Sequence, residues 1–146
     1  TGSITSWDDV KLLTVQVNRL EKWWRTGFLC IGDAAHAMSP IGGVGINLAV
    51  QDAAAASRIL APSLRRNEAP DEVLARVQKR RALPARMTQS VQIAAQNRVL
   101  VPAIQGAAAV KVPFFLKVLD AVAPLRGLTG RAVGMGLRPE HWRFEP

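Results

Sequence analysis

The sequence predicts a mainly α-helical protein with a few short strands. Two long stretches have the composition and spacing of helices: an Ala-rich one over residues 43–60 and an Arg-rich one that begins at Asp71. Only residues 11–18 and 28–31 are rich in β-forming side chains. With 146 residues, 49% of them hydrophobic, the chain has the length of one domain and enough apolar content for a core.

Residues 1–62 hold both predicted strands and the first helix. A strand over residues 11–18 leads into a turn that contains two Trp residues. A short buried strand over residues 28–31 follows the turn. The Ala-rich helix then runs from about residue 43 to 60, and Pro62 is expected to close it because proline disfavours continuation of a helix.

Residues 63–146 are predicted to form a helical region with an irregular tail. Asp71 is expected to cap a helix, with Pro70 just before it. Proline cannot donate a backbone hydrogen bond, so prolines should interrupt the helical pattern that follows. The predicted elements are a helix over residues 71–83, a kink or restart at Pro84, a helix over 85–101 broken at Pro102 and Gly106, an amphipathic helix over 112–122 and a tail over 124–146.

The net charge of +8 lies wholly in residues 61–146. A basic region can serve an anionic partner such as nucleic acid or a membrane surface. No aromatic residues interleave with these charges, as a surface that stacks bases would need, so solvated helix surface is the favoured interpretation. No stretch approaches the roughly 20 apolar residues of a membrane span. The single cysteine, Cys30, excludes an internal disulfide and favours a reducing, cytoplasmic compartment.

The stretch with the most chemical information is residues 28–53, FLCIGDAAHAMSPIGGVGINLAVQDA. An apolar run ends at Gly32 and Asp33, and a loop with Pro40 follows. Asp33 would stand at the carboxyl end of a strand, where α/β sheets commonly bind ligands. Its carboxylate could accept hydrogen bonds from sugar-type hydroxyls, or it could cap a turn, and spacing alone favours neither.

Gly42, Gly43 and Gly45 would leave backbone N–H groups accessible where the Ala-rich helix begins. The helix macrodipole places about half a positive charge there, which attracts phosphate or a delocalised anion. A flexible turn is the alternative, because the glycines match neither G-x-G-x-x-G nor the Lys-Ser/Thr of a P-loop. Asn47 in the first turn could offer its amide to a ligand or act as a local cap.

The sequence predicts no catalytic residue and no metal site. His36 could act as a base, but no Ser, Cys or carboxylate completes a triad with it, so a structural role is favoured. Cys30 lies within an apolar strand, where a thiol is usually packing. No Cys/His cluster has the spacing of metal ligands.

Together these residues form the pattern G-D-A-A-H-x-x-x-P-x-x-G-x-G-x-N, with an Asp five residues beyond the Asn. The pattern resembles the second FAD-binding motif of the flavoprotein aromatic hydroxylases, which are FAD-dependent monooxygenases with the para-hydroxybenzoate hydroxylase fold. The flanking segments are similar too, strongly over residues 10–60 and loosely beyond. The matching residues are Gly32, Asp33, Ala34, Ala35, His36, Pro40, Gly43, Gly45, Asn47 and Asp52.

The resemblance implies the C-terminal fragment of an α+β FAD-binding fold. Asp33 would bond the ribityl chain of FAD, residues 40–45 would line the isoalloxazine, and residues 44–47 would face its N1–C2 carbonyl edge. A helix N-terminus there suits the negative charge of a reduced flavin. The implied cofactor-binding residues are Gly32, Asp33, Pro40, Gly42, Gly43, Val44, Gly45, Ile46 and Asn47.

The resemblance also implies a reaction. NAD(P)H would reduce the flavin, O2 would add to it as a hydroperoxide, and an aromatic or quinone-like small molecule would be hydroxylated. A related FAD-dependent reductase or halogenase would carry the same motif, and a non-catalytic basic helical module is the remaining alternative. In the family the basic stretch is ordinary helix surface, which argues against nucleic acid as a partner; it comprises Arg76, Lys79, Arg80, Arg81 and Arg86.

The family's G-x-G-x-x-G segment, which holds the ADP half of FAD, is not among these 146 residues. The expected partner of this chain is therefore the N-terminal part of the same enzyme. We expect the chain alone to bind FAD weakly or not at all and not to turn over NAD(P)H. Its helices would expose apolar surface meant for a sheet, so self-association is expected.

Overall fold

The computed structural model describes residues 6–11, 16–104, 122, 127, 130, 131 and 134–141. Two antiparallel strands, β1 (Trp24–Arg25) and β2 (Phe28–Leu29), precede two long helices, α1 (Gly45–Leu64) and α2 (Asp71–Ala95). A π-helical turn (Gln96–Leu100) continues α2 into a short helix, α3 (Val101–Ile104). The predicted fold class, mainly α with a few short strands, is confirmed.

The strands are shorter than the sequence predicted. β1 and β2 form a hairpin in which Trp24 pairs with Leu29 and Arg25 with Phe28, so β1 lies inside the predicted turn. The strand predicted over residues 28–31 ends at Leu29 and is not fully buried, because Phe28 is 60% exposed. Residues 16–18 form no strand, and residues 12–15 lie outside the described part. Among the described residues, no third strand pairs with the hairpin, so the sheet has two strands.

The helix ends predicted at Pro62 and Pro102 were wrong, and the helix does not restart at Pro84. Pro62 lies within the last turn of α1, where the Arg65 N–H still reaches the Ala61 carbonyl at 3.0 Å. Pro84 lies inside a continuous α2 and is fully buried, and that packing offsets the lost backbone bond. Pro102 lies inside α3 and does not break it.

Asp71 is the first residue of α2 and not its cap. The N-cap is Pro70, without a side-chain hydrogen bond to the helix. The Asp71 carboxylate instead accepts a hydrogen bond from the Thr26 hydroxyl at 3.2 Å, which joins α2 to the hairpin turn. An acidic side chain in the first turn also interacts favourably with the helix dipole.

The C-terminal predictions are only partly covered by the structure. Residues 105–121 and 123–126, and with them Gly106 and nearly all of the helix predicted over 112–122, lie outside the described residues. In the tail, Gly127, Gly130, Arg131, Gly134 and Met135 have helical backbone, so the prediction of an irregular tail is wrong there. Residues 136–141 are irregular, as predicted.

The core lies between the two long helices and the segment around the hairpin. Trp23, Ala35, Leu48 and Ala85 form its centre, and Cys30 packs against them as predicted. Alanines on α1 are buried against α2, where their small side chains allow close approach. This packing fixes the segment after β2 against the N-terminal half of α1. None of the described helices is long and apolar enough to cross a bilayer.

Candidate functional site

A cleft of about 730 Å3 lies between the segment after β2 and the start of α1. Six of the nine predicted cofactor-binding residues line it, although the residues span fifteen positions of the sequence. Apolar side chains from Ile31, Met38 and Ala49 complete much of the wall. The six predicted residues in the lining are Gly32, Asp33, Pro40, Gly43, Gly45 and Ile46.

The other three predicted residues do not line this cleft. Gly42 is exposed beside it. Val44 and Asn47 lie against residues 134–141, the C-terminal segment, next to Gly134 and Gly136. The Asn47 amide donates a hydrogen bond to the Gly134 carbonyl at 3.1 Å.

A single 3-10 turn, Gly32–Ala34, holds Asp33 at the mouth of the cleft. The Ala35 and His36 N–H groups both bond to the Gly32 carbonyl at 2.9 Å, so the turn is closed by backbone and not by the Asp33 side chain. Gly32 has a φ of +57°, and a Cβ on it would lie 3.0 Å from the Ala49 Cβ. Only glycine lets the turn lie directly on α1 in this way.

The Asp33 carboxylate is exposed and bonds to none of the described residues. Such a group has both oxygens available as acceptors. Asp33 does not cap the turn, because no side-chain hydrogen bond from it closes the turn. Its carboxylate is free to accept hydrogen bonds from a ligand in the cleft.

The N-terminus of α1 also borders the cleft, since Gly43, Gly45 and Ile46 are in its lining. Neither an acidic side chain in its first turn nor a side-chain cap bonds its N–H groups, and the first N–H groups of a helix have no partner within the helix. Gly43 leaves this end open, since a Cβ on it would meet no atom within 4 Å, whereas a Cβ on Gly45 would lie 3.4 Å from the Met38 Cβ. The lining of the cleft therefore contains both a carboxylate acceptor and a helix N-terminus, with N–H donors and the positive end of a helix dipole.

Beneath the cleft, Asp52 of α1 is the centre of a buried polar cluster. Its Oδ2 accepts hydrogen bonds from the Gly32 N–H at 3.1 Å and from His36 Nε2 at 2.5 Å. Its Oδ1 accepts one from Arg81 Nε at 2.8 Å. Asp52 and Arg81 are both completely buried, and His36 nearly so. His36 therefore has the structural role that the sequence favoured.

Arg81 was predicted to be ordinary helix surface, and that prediction was wrong. Besides Asp52, its guanidinium donates to the Arg138 carbonyl at 3.1 Å, and it lies 3.7 Å from Glu140. Glu140 is itself buried and pairs with Arg58 and Arg80. The cluster thus joins α1, α2 and the C-terminal segment to the turn that carries Asp33.

Six basic side chains gather in a second cleft, of about 810 Å3, between the end of α1 and the start of α2. Arg76 and Lys79 are exposed there, as predicted for helix surface. The basic side chains in its lining are Arg58, Arg66, Arg76, Lys79, Arg80 and Arg138. This cleft shares no lining residue with the one at Asp33.

The pKa of Asp52 lies below its ordinary value of 3.8: burial would raise it, but the hydrogen bonds from His36, Arg81 and the Gly32 N–H outweigh that effect. A carboxyl whose pKa is lowered by folding contributes stability above its unfolded pKa and loses it as the pH falls through the folded pKa. We therefore expect the stability difference between wild type and Asp52→Asn to shrink as the pH drops below about 4. Urea unfolding between pH 7 and pH 2.5 measures this. An unchanged difference across that range would contradict it.

Comparison with known proteins identifies the family to which the chain belongs. The family described as FAD binding domain matches residues 3–91. The chain therefore belongs to the FAD binding domain family, and the family resemblance read from the motif is confirmed. The match includes β1, β2, the turn with Asp33, α1 and most of α2.

Two curated relatives are monooxygenases by name. The chain is 41% identical over 108 residues to a 6-methylpretetramide 4-monooxygenase of Streptomyces rimosus. The matched residues make up 74% of this chain and 26% of that protein. It is 53% identical over 38 residues to the dual O-methyltransferase/FAD-dependent monooxygenase elcB of Phaeosphaeria nodorum. Those residues make up 26% of this chain and 4% of that protein. The chain thus spans about a quarter or less of their length. No solved structure gives a significant match.

Proposed function

We propose that this chain supplies the ribityl and isoalloxazine part of the FAD site in an FAD-dependent monooxygenase. The observation that carries the proposal is the cleft whose lining contains both the unpaired Asp33 carboxylate and the start of α1. Membership of the FAD binding domain family supports the cofactor. The monooxygenase relative from Streptomyces rimosus supports the reaction class.

The chemistry of the lining fits this part of FAD. A ribityl chain carries hydroxyl groups, and the unpaired Asp33 carboxylate can accept hydrogen bonds from them. The isoalloxazine is flat with an apolar dimethylbenzene side, and Pro40, Ile46 and Ala49 provide apolar surface beside the helix start. The N–H groups near Gly45 and the helix dipole would stabilise negative charge on the ring. Val44, Gly42 and Asn47 remain proposed contacts at its edge.

When bound, the flavin would take electrons from NAD(P)H and use O2 to hydroxylate an aromatic or quinone-like molecule. The residues of this chain would bind and orient it, and none of them needs to act as an acid or a base. The ADP half of FAD would lie in another segment of the enzyme, which carries the phosphate-binding glycines. The relative's name gives 6-methylpretetramide as the molecule it acts on. An FAD-dependent reductase or halogenase remains the alternative.

Exposed apolar side chains beside the cleft support the proposal that another segment of the enzyme packs over α1. Ile46 is 73% exposed and Val50 63% exposed, one turn apart on α1. Large exposed apolar side chains close together commonly mark an interface. We propose that another part of the same enzyme covers them, and that the chain alone would self-associate through them.

The replacement Asp33→Asn in the full-length enzyme tests the proposal. Hydrogen bonds to a charged group contribute about 1.5–3 kcal/mol, so we expect the Kd for FAD to rise by roughly tenfold to a hundredfold. Flavin fluorescence during titration of the stripped protein measures Kd, and substrate-stimulated NAD(P)H oxidation measures the reaction. Glu72→Gln, an exposed acid on α2 outside the cleft, is the matched control and should leave Kd unchanged. A wild-type protein that binds no FAD, or an Asp33→Asn protein with unchanged Kd, would refute the proposal.

A further inference from the structure

We propose that Asp52 is a positioning residue for the cofactor: through the Gly32 N–H it fixes the turn that aims Asp33 into the cleft, and Arg81 and His36 hold Asp52 in place. The inference rests on the proposed function, because it concerns how the same site is kept in shape. It assigns a role to three buried side chains that do not line the cleft.

Asp52 can act on a ligand only through the turn. It is 0% exposed, and its carboxylate oxygens already accept three hydrogen bonds. One of the three comes from the Gly32 N–H, directly before Asp33 in the chain. The turn is therefore held from below by Asp52 and closed from within by the Gly32 carbonyl. Since Asp33 bonds to none of the described residues, these backbone contacts fix its direction.

The cluster is specific for a carboxylate at position 52. Three N–H donors converge on it, from the Gly32 backbone, from His36 Nε2 and from Arg81 Nε. An ionised carboxyl group only accepts, so it satisfies all three. An asparagine has an NH2 group in place of one oxygen, and that group would oppose at least one of the three donors. Replacing the oxygen should therefore loosen the turn even where the fold survives.

Arg81 and His36 hold the carboxylate from two further sides. Arg81 extends from α2 and is fixed in turn by the Arg138 carbonyl. His36 packs against the Trp23 ring, with centroids 5.0 Å apart. Its Nδ1 is buried without a partner among the described residues, so Asp52 is the side-chain partner that fixes the imidazole. The cluster thus connects the turn to the centre of the core.

A purely structural role for the cluster makes a different prediction. Asp52 and Arg81 also join α1 to α2, so replacing either one would lower the stability of the protein whether or not the cluster affects cofactor binding. A structural role alone would leave the affinity of the folded protein for FAD unchanged. A positioning role changes that affinity, because a displaced Asp33 carboxylate would lose charge-assisted hydrogen bonds to the cofactor.

The experiment compares Asp52→Asn and Arg81→Lys with Leu74→Ala in the full-length enzyme. Leu74 is buried on α2 and lines neither cleft, so it serves as a matched control for lost stability. The readouts are the Kd for FAD, measured well below each melting temperature, and hydrogen exchange in the peptide that contains residues 32–34. Arg81→Lys keeps the charge but cannot reach Asp52 and the Arg138 carbonyl together, which provides a milder variant if Asp52→Asn does not fold.

We expect Asp52→Asn to raise the Kd for FAD about tenfold, Arg81→Lys to raise it less, and both to accelerate exchange in the turn. Leu74→Ala should lower the melting temperature and keep the Kd within about twofold of wild type. Unchanged Kd values in folded Asp52→Asn and Arg81→Lys proteins would overturn the inference, as would an equal rise in Leu74→Ala. A wild-type protein that binds no FAD would instead refute the proposed function on which the inference rests.

Discussion

Replacing Arg81 with Met is expected to lower the free energy of unfolding by about 3–5 kcal/mol. Methionine has a similar length and fills much of the same space, so the loss would come from charge and hydrogen bonding more than from a cavity. It would leave the Asp52 carboxylate buried without its cation, and the Arg138 carbonyl would lose a donor. Urea unfolding followed by Trp fluorescence measures the effect.

Arg76→Met is the matched control for this experiment. Arg76 lies on the same helix, is exposed, and forms no ion pair with the described residues, so its replacement should change stability by no more than about 0.5 kcal/mol. The double variant Asp52→Asn/Arg81→Met should be more stable than the sum of the single losses predicts, because the two side chains form one buried pair. Equal losses of unfolding free energy for Arg76→Met and Arg81→Met would contradict a buried, stabilising ion pair at position 81.

The burial of Arg81 could have been predicted from helical spacing. Leu74 and Val77 precede it by seven and four positions, and Ala85 follows it by four, so all four share one face of a helix. All four are buried in α2. The run of basic residues favoured a solvated surface, and that composition outweighed the spacing. A charge on the apolar face of a helix indicates a buried partner, since arginine is almost never fully buried unless it is paired.

The partner of Arg81 could not be predicted in the same way. Asp52 lies 29 residues away on another helix. Its place in the motif was visible from the sequence, but its contacts depend on how α1 packs on α2. The buried Glu140, which comes from the C-terminal segment, depends on tertiary structure in the same manner.

The motif identified the cleft because its residues are close in sequence. Gly45 and Ala49 are four positions apart on α1, and with Ile46 they face the cleft. Val44 and Asn47 belong to the neighbouring face with Leu48 and Gln51, and this second face meets the C-terminal segment. A helix turns by about 100° per residue, so the side chains of adjacent motif residues cannot all point into one cleft. The proposed contact at Asn47 needs a test of its own.

Prolines limited the prediction of helix ends. The local rule is sound, because an internal proline loses a hydrogen bond and costs about 3 kcal/mol. At Pro84, however, α2 buries residues on both sides, including Val77 and Ala85. Burial of several apolar side chains at about 1.5–3 kcal/mol each can exceed that cost. The outcome depends on a packing surface that the local sequence does not contain.

Replacing Trp23 with Ala is expected to cost about 3–5 kcal/mol of unfolding free energy. Trp23 is almost completely buried at the centre of the core, between α1, α2 and the hairpin segment. Its indole N–H donates to the Leu20 carbonyl at 3.2 Å, and its ring contacts His36. The variant would leave a large cavity beside the imidazole that holds Asp52. Chemical denaturation at pH 7 measures the loss.

The neighbouring Trp24 provides the control, because the two residues differ in burial and not in type. Trp24 is only partly buried in β1, and its ring lies 3.8 Å from the Lys22 ammonium. An exposed cation–π contact contributes about 0.5–1 kcal/mol, so Trp24→Ala should cost far less than Trp23→Ala. Comparable losses of unfolding free energy for the two variants would contradict the position of Trp23 at the centre of the core. A selective loss at Trp23 would mean that the turn with Asp33 depends on the same core that packs α1 against α2.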